Sequence, residues 1–248
     1  MPPCYDWKPV VGANQNTVPR RRIRSFVRRE GRLTPAQRRA LEELLPRYGV
    51  PGHGPLDPVA LFGRRAPLTV EVGFGNGEVL AHLAAAHPER DHLGIEVHRP
   101  GVGRLLNRIH ELGLANVRVA VDDAMEVLPR LPEGSIDLLL VFFPDPWHKK
   151  RHHKRRLVNA EFARLAASRL RPGGRLHLAT DWEDYARQML EVLGAEPALH
   201  NLSPAGDFVP RPDSRPVTRF EARGRRLGHE VFDLLYERRG PVTGSGGS

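Results

Sequence analysis

From Leu68 onward, short apolar runs alternate with stretches of helical apolar spacing. Leu68 to Val72 predicts a strand, and Val79, Leu80, Leu83 and Ala84 predict a helix from Glu78 to His87. His92 to Val97 reads as a second strand. Val102, Leu105, Leu106, Ile109 and Leu112 then mark a helix from Arg99 to Gly113, closed by its glycine. Val117 to Val121 is a third strand. Ile136 to Phe143 is a fourth, interrupted only by Asp137, as a strand buried on both faces of a parallel sheet reads. A helix from Leu157 to Leu170 stops at Pro172-Gly173-Gly174. A fifth strand from Arg175 to Asp181 and a helix from Trp182 to Leu193 follow. The last strand runs from Glu230 to Tyr236, and His200 to Ser203 is short and ambiguous. Strands alternating with helices in this way predict an α/β fold.

The chain ahead of this alternation is different. Residues 1–19 lack periodicity and are read as disordered, and residues 20–55 as a basic arm with a short helix. From Arg20 to Arg39 there are nine arginines against one acid, Glu30, with Ile23, Phe26 and Val27 spaced for one helical face. Thr34 is placed to cap a helix from Ala36 to Leu45 that has Pro35 at its first position. Pro46 to Pro67 reads as a connector. The main domain is assigned to residues 56–239, and residues 240–248 to a flexible Gly/Ser tail.

A chain of 248 residues suffices for one large α/β domain with an extension. Its net charge of +9 and pI near 10.5 suggest a polyanionic partner, although an arginine-rich composition alone can produce both. The single cysteine, Cys4, excludes an internal disulfide and a cysteine-based zinc cluster, which fits a reducing cytosol. The start resembles no signal peptide, and no apolar run approaches the ~20 residues of a membrane helix. A cytoplasmic protein with no membrane partner and no metal is expected, as a monomer or weak homodimer.

The first strand runs into Gly73-Phe74-Gly75-Asn76-Gly77 just before a helix. Glycines there let the backbone approach a ligand, and the helix start offers free N–H groups. Glu96 ends the second strand about 20 residues on, a spacing that suits a carboxylate accepting from ribose hydroxyls. Glu71, Glu96 and Asp123 all fall at the ends of successive strands. That much negative charge suits the sulfonium and ammonium of S-adenosylmethionine better than the phosphates of NAD. The fourth strand ends in Phe142-Phe143-Pro144-Asp145-Pro146-Trp147-His148, followed by a run to Arg156 with six Lys/Arg. Singly, these pieces read as a turn, a core lid and a solvated charge run. Adjacent at the end of a core strand, they read as a site.

The order of these pieces resembles the class I S-adenosylmethionine-dependent methyltransferases, and more narrowly the bacterial tRNA (guanine-N7-)-methyltransferase family. The resemblance covers about residues 20–238. It rests on Arg-Arg-Ile-Arg-Ser-Phe-Val-Arg-Arg (21–29), Glu-Val-Gly-Phe-Gly-Asn-Gly (71–77), Gly-Ile-Glu-Val-His (94–98) and Phe-Phe-Pro-Asp-Pro-Trp-His-Lys-Lys-Arg-His (142–152). Ala-Thr-Asp-Trp-Glu (179–183) and Thr-Arg-Phe-Glu (218–221) complete it. It implies a Rossmann-like, seven-stranded, mostly parallel sheet with the last strand antiparallel. It implies methyl transfer to N7 of a tRNA guanine, the variable-loop guanine at tRNA position 46. Glu71, Gly73, Gly75, Gly77, Glu96, Asp123 and Asp145 would then line the cofactor side. Lys149, Asp181, Thr218, Arg219, Phe220 and Glu221 would hold the guanine or its surroundings. Arg151, His152, His153, Lys154, Arg155 and Arg156 would lie against RNA.

Guanine N7 carries a lone pair and no proton, so the site needs alignment and charge stabilisation rather than a general base. Asp145 is the expected catalytic residue, with Asp181 and Glu221 beside it, and Trp147 is placed to stack on the base. A methyltransferase of small molecules or proteins fits the cationic stretches poorly. An RNA-binding module with a vestigial fold fits the intact glycine turn poorly, and an NAD enzyme fits the crowded acids poorly.

Overall fold

The computed structural model describes residues 25–26, 31–213, 215–217, 221–222, 228 and 230–240. The expectations for residues 1–19, Ile23, Val27, Thr218, Arg219, Phe220 and the tail beyond Gly240 lie outside the described residues. The strands are β1 (Leu68–Val72), β2 (Asp91–Ile95), β3 (Val117–Ala120), β4 (Ile136–Phe142), β5 (Leu170–Thr180), β6 (Leu199–Asn201) and β7 (Phe232–Arg238). They form one sheet in the order β3-β2-β1-β4-β5-β7-β6. The first five pair in parallel; β7 runs antiparallel to β5, and β6 antiparallel to β7. The seven-stranded, mostly parallel α/β sheet is thus present.

Every residue of β1 is buried, because helices cover both faces of the central strands. One apolar cluster joins α4 (Glu78–Ala86) and α5 (Arg99–Glu111). A second joins α7 (Ala160–Arg169) and α8 (Glu183–Gly194) to Leu139, Val141, Leu176 and Leu178. The one polar break in β4, Asp137, closes two open ends. Its carboxylate accepts from the Leu68 amide at 2.8 Å and from Arg171 Nε at 2.5 Å.

Two segments differ from expectation. The helix read as part of an arm, α1 (Pro35–Glu43), is fastened at its start by a Thr34–Gln37 capping box. It packs on α5 so closely that a Cβ at Gly103 would meet Gln37 at 2.9 Å. The expected connector holds two short helices, α2 (Leu45–Tyr48) and α3 (Pro58–Phe62), and the Val50 amide donates to the Val119 carbonyl at 3.0 Å. Residues 35–50 therefore pack against α5 and β3.

From β1 the chain moves outward to β2 and β3 on one side, then returns to β4 and β5 on the other. The order reverses between β1 and β4, and a crevice opens beyond their carboxyl ends.

Candidate active site

That crevice is a cleft of about 620 Å³ lined by Gly73, Glu96, Asp122, Asp145, His148 and Lys149. A contiguous recess under the glycine turn is lined by Glu71, Gly75, Asn76, His98 and Arg104. Gly73, Gly75 and Gly77 have φ of 72°, 56° and 73°, the left-handed region that favours glycine. The turn also presses on the start of α5: a Cβ at Gly101 would lie 2.0 Å from the Gly75 carbonyl oxygen.

Glu96 holds this turn in shape. One carboxylate oxygen accepts from the Gly75 amide at 2.9 Å, the other from the Val97 and His98 amides at 2.7 and 2.9 Å. Glu71 sits beneath it, 3 % exposed, with Oε2 unpaired among the described residues. Burial, and then the charge of Glu96, push its carboxyl up to about 8. Glu71 is therefore held as a neutral carboxyl at the floor of the recess, beneath the ionised Glu96. Asp123 caps α6 (Ala124–Val127), accepting from the Met125 amide at 3.0 Å. Its neighbour Asp122, which the sequence reading passed over, is the one of the two that lines the cleft.

The other wall is the segment after β4. The Phe143 amide donates to the Ala179 carbonyl at 2.7 Å, extending the ladder by one bond. Phe143 and Trp147 then take φ of 51° and 49°, and no other non-glycine residues among those described have positive φ. The strain brackets Pro144-Asp145-Pro146. Asp145 is exposed, and among the described residues its carboxylate accepts no hydrogen bond. Trp147 lines the cleft and is half-buried, with partners on its ring and its Nε1. Its Nε1 donates to the Ser25 carbonyl at 2.9 Å, Arg155 lies over the ring at 4.9 Å, and His152 meets it edge-on at 5.9 Å. Through this bond Trp147 ties Ser25 of the basic arm to the cleft wall, where Phe26 also lies.

Lys149 is exposed and begins the 3-10 turn Lys150–Arg155, on which Arg151 and Lys154 are exposed and His152, His153 and Arg155 half-buried. Arg156 is a correction. It is 2 % exposed, too deep to lie against RNA. Its guanidinium donates to the Pro146 carbonyl at 2.8 Å, to Gln188 at 2.5 Å and to Asp184 at 2.6 Å. Nothing in a run of like charges distinguishes the one cation that turns inward.

Asp181 stands at the end of β5, beside the exposed Trp182. Thr218, Arg219 and Phe220 lie outside the described residues, whereas Glu221 is buried. Both Glu221 oxygens are bound by Arg215, at 2.5 and 3.1 Å. Arg215 also grips Asp233 at 2.7 and 3.0 Å, and His177 reaches the same carboxylate at 2.8 Å. Sequence reasoning missed this network because its members are dispersed over three segments. Among the described residues no acid, histidine and cysteine group could hold a metal ion, and no helix is long and apolar enough to cross a membrane.

Comparison with known proteins adds to this geometry. A family model described as "Putative methyltransferase" matches residues 65–234. The chain is 59 % identical over 224 residues to the tRNA (guanine-N(7)-)-methyltransferase of Methylococcus capsulatus, covering 90 % of this chain and 97 % of that one. It is 55 % identical over 227 residues to the enzyme of the same name from Cronobacter sakazakii, covering 91 % and 95 %. Among solved structures, a 16S rRNA (adenine(1408)-N(1))-methyltransferase from Catenulisporales acidiphilia with its cosubstrate SAM superposes with TM-score 0.53 at 18 % identity. That likeness spans 75 % of this chain and 93 % of the other, and shows the shared fold.

Proposed function

The chain belongs to the tRNA (guanine-N(7)-)-methyltransferase family, and from that premise we propose that it methylates N7 of a guanine in tRNA, with S-adenosylmethionine as donor. The observation that carries the reading is the joining, in one cleft, of the Glu71–Glu96 glycine turn with the Asp145 loop. The donor fits the residues present. Gly73 and Gly75 leave room for close approach, and Glu96 and Asp122 offer acceptors on the cleft wall. Bound there, S-adenosylmethionine supplies an electrophilic methyl group on a sulfonium.

The chain's own work is alignment and charge placement. N7 needs no base to become a nucleophile, so Asp145 acts as an anion beside the purine while positive charge develops on it. A rigid loop suits that task, and Asp145 is held by its prolines and by the Pro146 carbonyl on Arg156. Asp181 and Lys149 approach the base from the neighbouring strand end and loop. Arg151, Lys154 and Arg155 supply phosphate contacts beside them. The variable-loop guanine at tRNA position 46 is the target in this reading, and the cytoplasm, where tRNA resides, is the compartment. Incubation with unmodified tRNA and labelled S-adenosylmethionine tests it: label should enter tRNA and leave protein and small-molecule acceptors unlabelled.

A further inference from the structure

Four large apolar side chains stand exposed among the described residues, and Trp182 is the only aromatic one, at 38 % exposure. Its place sets it apart from a stray surface residue. It follows Asp181 at the carboxyl end of β5, and its ring meets that of His148, a cleft-lining residue, at 4.2 Å and 74°. Trp182 is also firmly seated. Its carbonyl accepts from the Tyr185 and Ala186 amides at 3.0 and 2.9 Å, starting α8. Arg156 then ties Asp184, two residues on, to the Pro146 carbonyl of the Asp145 loop. The backbone that carries the indole is thus tied to the loop of the proposed catalytic acid, and the ring is 38 % exposed, with His148 against it.

We propose that Trp182, braced by His148, is the stacking surface for the target guanine of the tRNA. The inference rests on the methyltransferase reading above and assigns the aromatic platform that reading needs. A base that leaves its stack to reach the cleft loses its neighbours' faces, and an indole replaces one of them. Methylation leaves the purine cationic, and indole is the best of the aromatic faces for a cation. Asp181, adjacent in sequence at the carboxyl end of β5, puts an acid on the same edge of the sheet.

The test compares wild type, Trp182→Phe and Trp182→Ala on intact tRNA and on tRNA abasic at the target position. Trp182→Ala should weaken binding of intact tRNA roughly 5- to 150-fold, the range of one base–aromatic stack. Trp182→Phe should keep most of the affinity, because a face remains. The log–log salt slope should not change, since no phosphate contact is lost. Affinity for S-adenosylmethionine should hold in all three proteins, and on abasic tRNA all three should bind alike. Wild-type affinity in Trp182→Ala would overturn the proposal, as would an equal loss on abasic tRNA. A parallel fall in S-adenosylmethionine affinity would also overturn it, by marking the residue as structural. The position of the methyl group on wild-type product is independent of these outcomes, so failure of the underlying reading would be seen separately.

Discussion

Arg156 and Asp184 meet at 2.6 Å, a buried guanidinium against a carboxylate whose side chain is 62 % exposed. With the Pro146 carbonyl on the same guanidinium, the pair joins the first turn of α8 to the loop that carries Asp145. Arg156→Gln strands that carbonyl, and chemical denaturation should show a loss of about 1–3 kcal/mol. Its salt slope for tRNA binding should match wild type. Replacing Arg151, Lys154 and Arg155 should do the opposite, lowering the slope by about 0.7–0.9 for each phosphate contact released while stability holds. A flattened slope in Arg156→Gln with stability intact would return Arg156 to the RNA face.

Glu96 serves the glycine turn with both carboxylate oxygens, accepting three backbone amides. Glu96→Ala should weaken S-adenosylmethionine binding by roughly 1–3 kcal/mol. Glu96→Gln should fare little better, because its amide nitrogen would face a donor in either orientation. Calorimetry showing wild-type affinity in a folded Glu96→Gln protein would contradict this.

Glu71 and His92 oppose each other in their effect of pH on stability. The Glu71 carboxyl is raised from 4.5 to about 8, so the fold favours its protonated form. Its contribution is full below about pH 4.5 and is lost as pH rises toward 8. Burial, then the charge of Arg90, lowers His92 from 6.5 to about 4, so the fold favours its neutral form. That contribution is present above pH 6.5 and is lost as pH falls toward 4. Urea unfolding across this range should show Glu71→Gln losing the alkaline decline and His92→Phe losing the acid one. Curves parallel to wild type in both variants would refute the assignment.

Asp145→Asn should fold as wild type, since the backbone bonds of Phe143 and Pro146, not the Asp145 carboxylate, hold the loop. Single-turnover methylation should fall about 10²–10³-fold, the usual loss for one preorganised electrostatic partner. Raising the pH should restore nothing, because N7 has no proton to lose. A rate within a few-fold of wild type would make Asp145 a turn former.

The sheet was legible because its strands are short, apolar and separated by helical spacing; β1 spans the same Leu68 to Val72 that the pattern marks. β5 begins at Leu170 rather than Arg175, because Pro172-Gly173-Gly174 signals a turn yet here forms an irregularity within the ladder. The cleft was legible where its walls are written locally, in the glycine turn and the Pro-Asp-Pro loop. It was not legible where residues meet only through the fold. Arg215 joins Glu221 to Asp233 from 6 and 18 residues away, and Trp147 reaches Ser25 across 122. Spacing carries no trace of such partners, and a charge run hides which of its members turns inward.

The position of the transferred methyl group, N7 of guanine in tRNA, can be read directly. Reduction of the product tRNA followed by aniline cleaves the chain at 7-methylguanosine, so gel mapping of end-labelled tRNA reads the position directly. A single new cut at the variable-loop guanine is expected, dependent on S-adenosylmethionine and absent from the no-enzyme control. Labelled tRNA that resists this cleavage, or that yields the methyl group on another base after nuclease digestion, would contradict it.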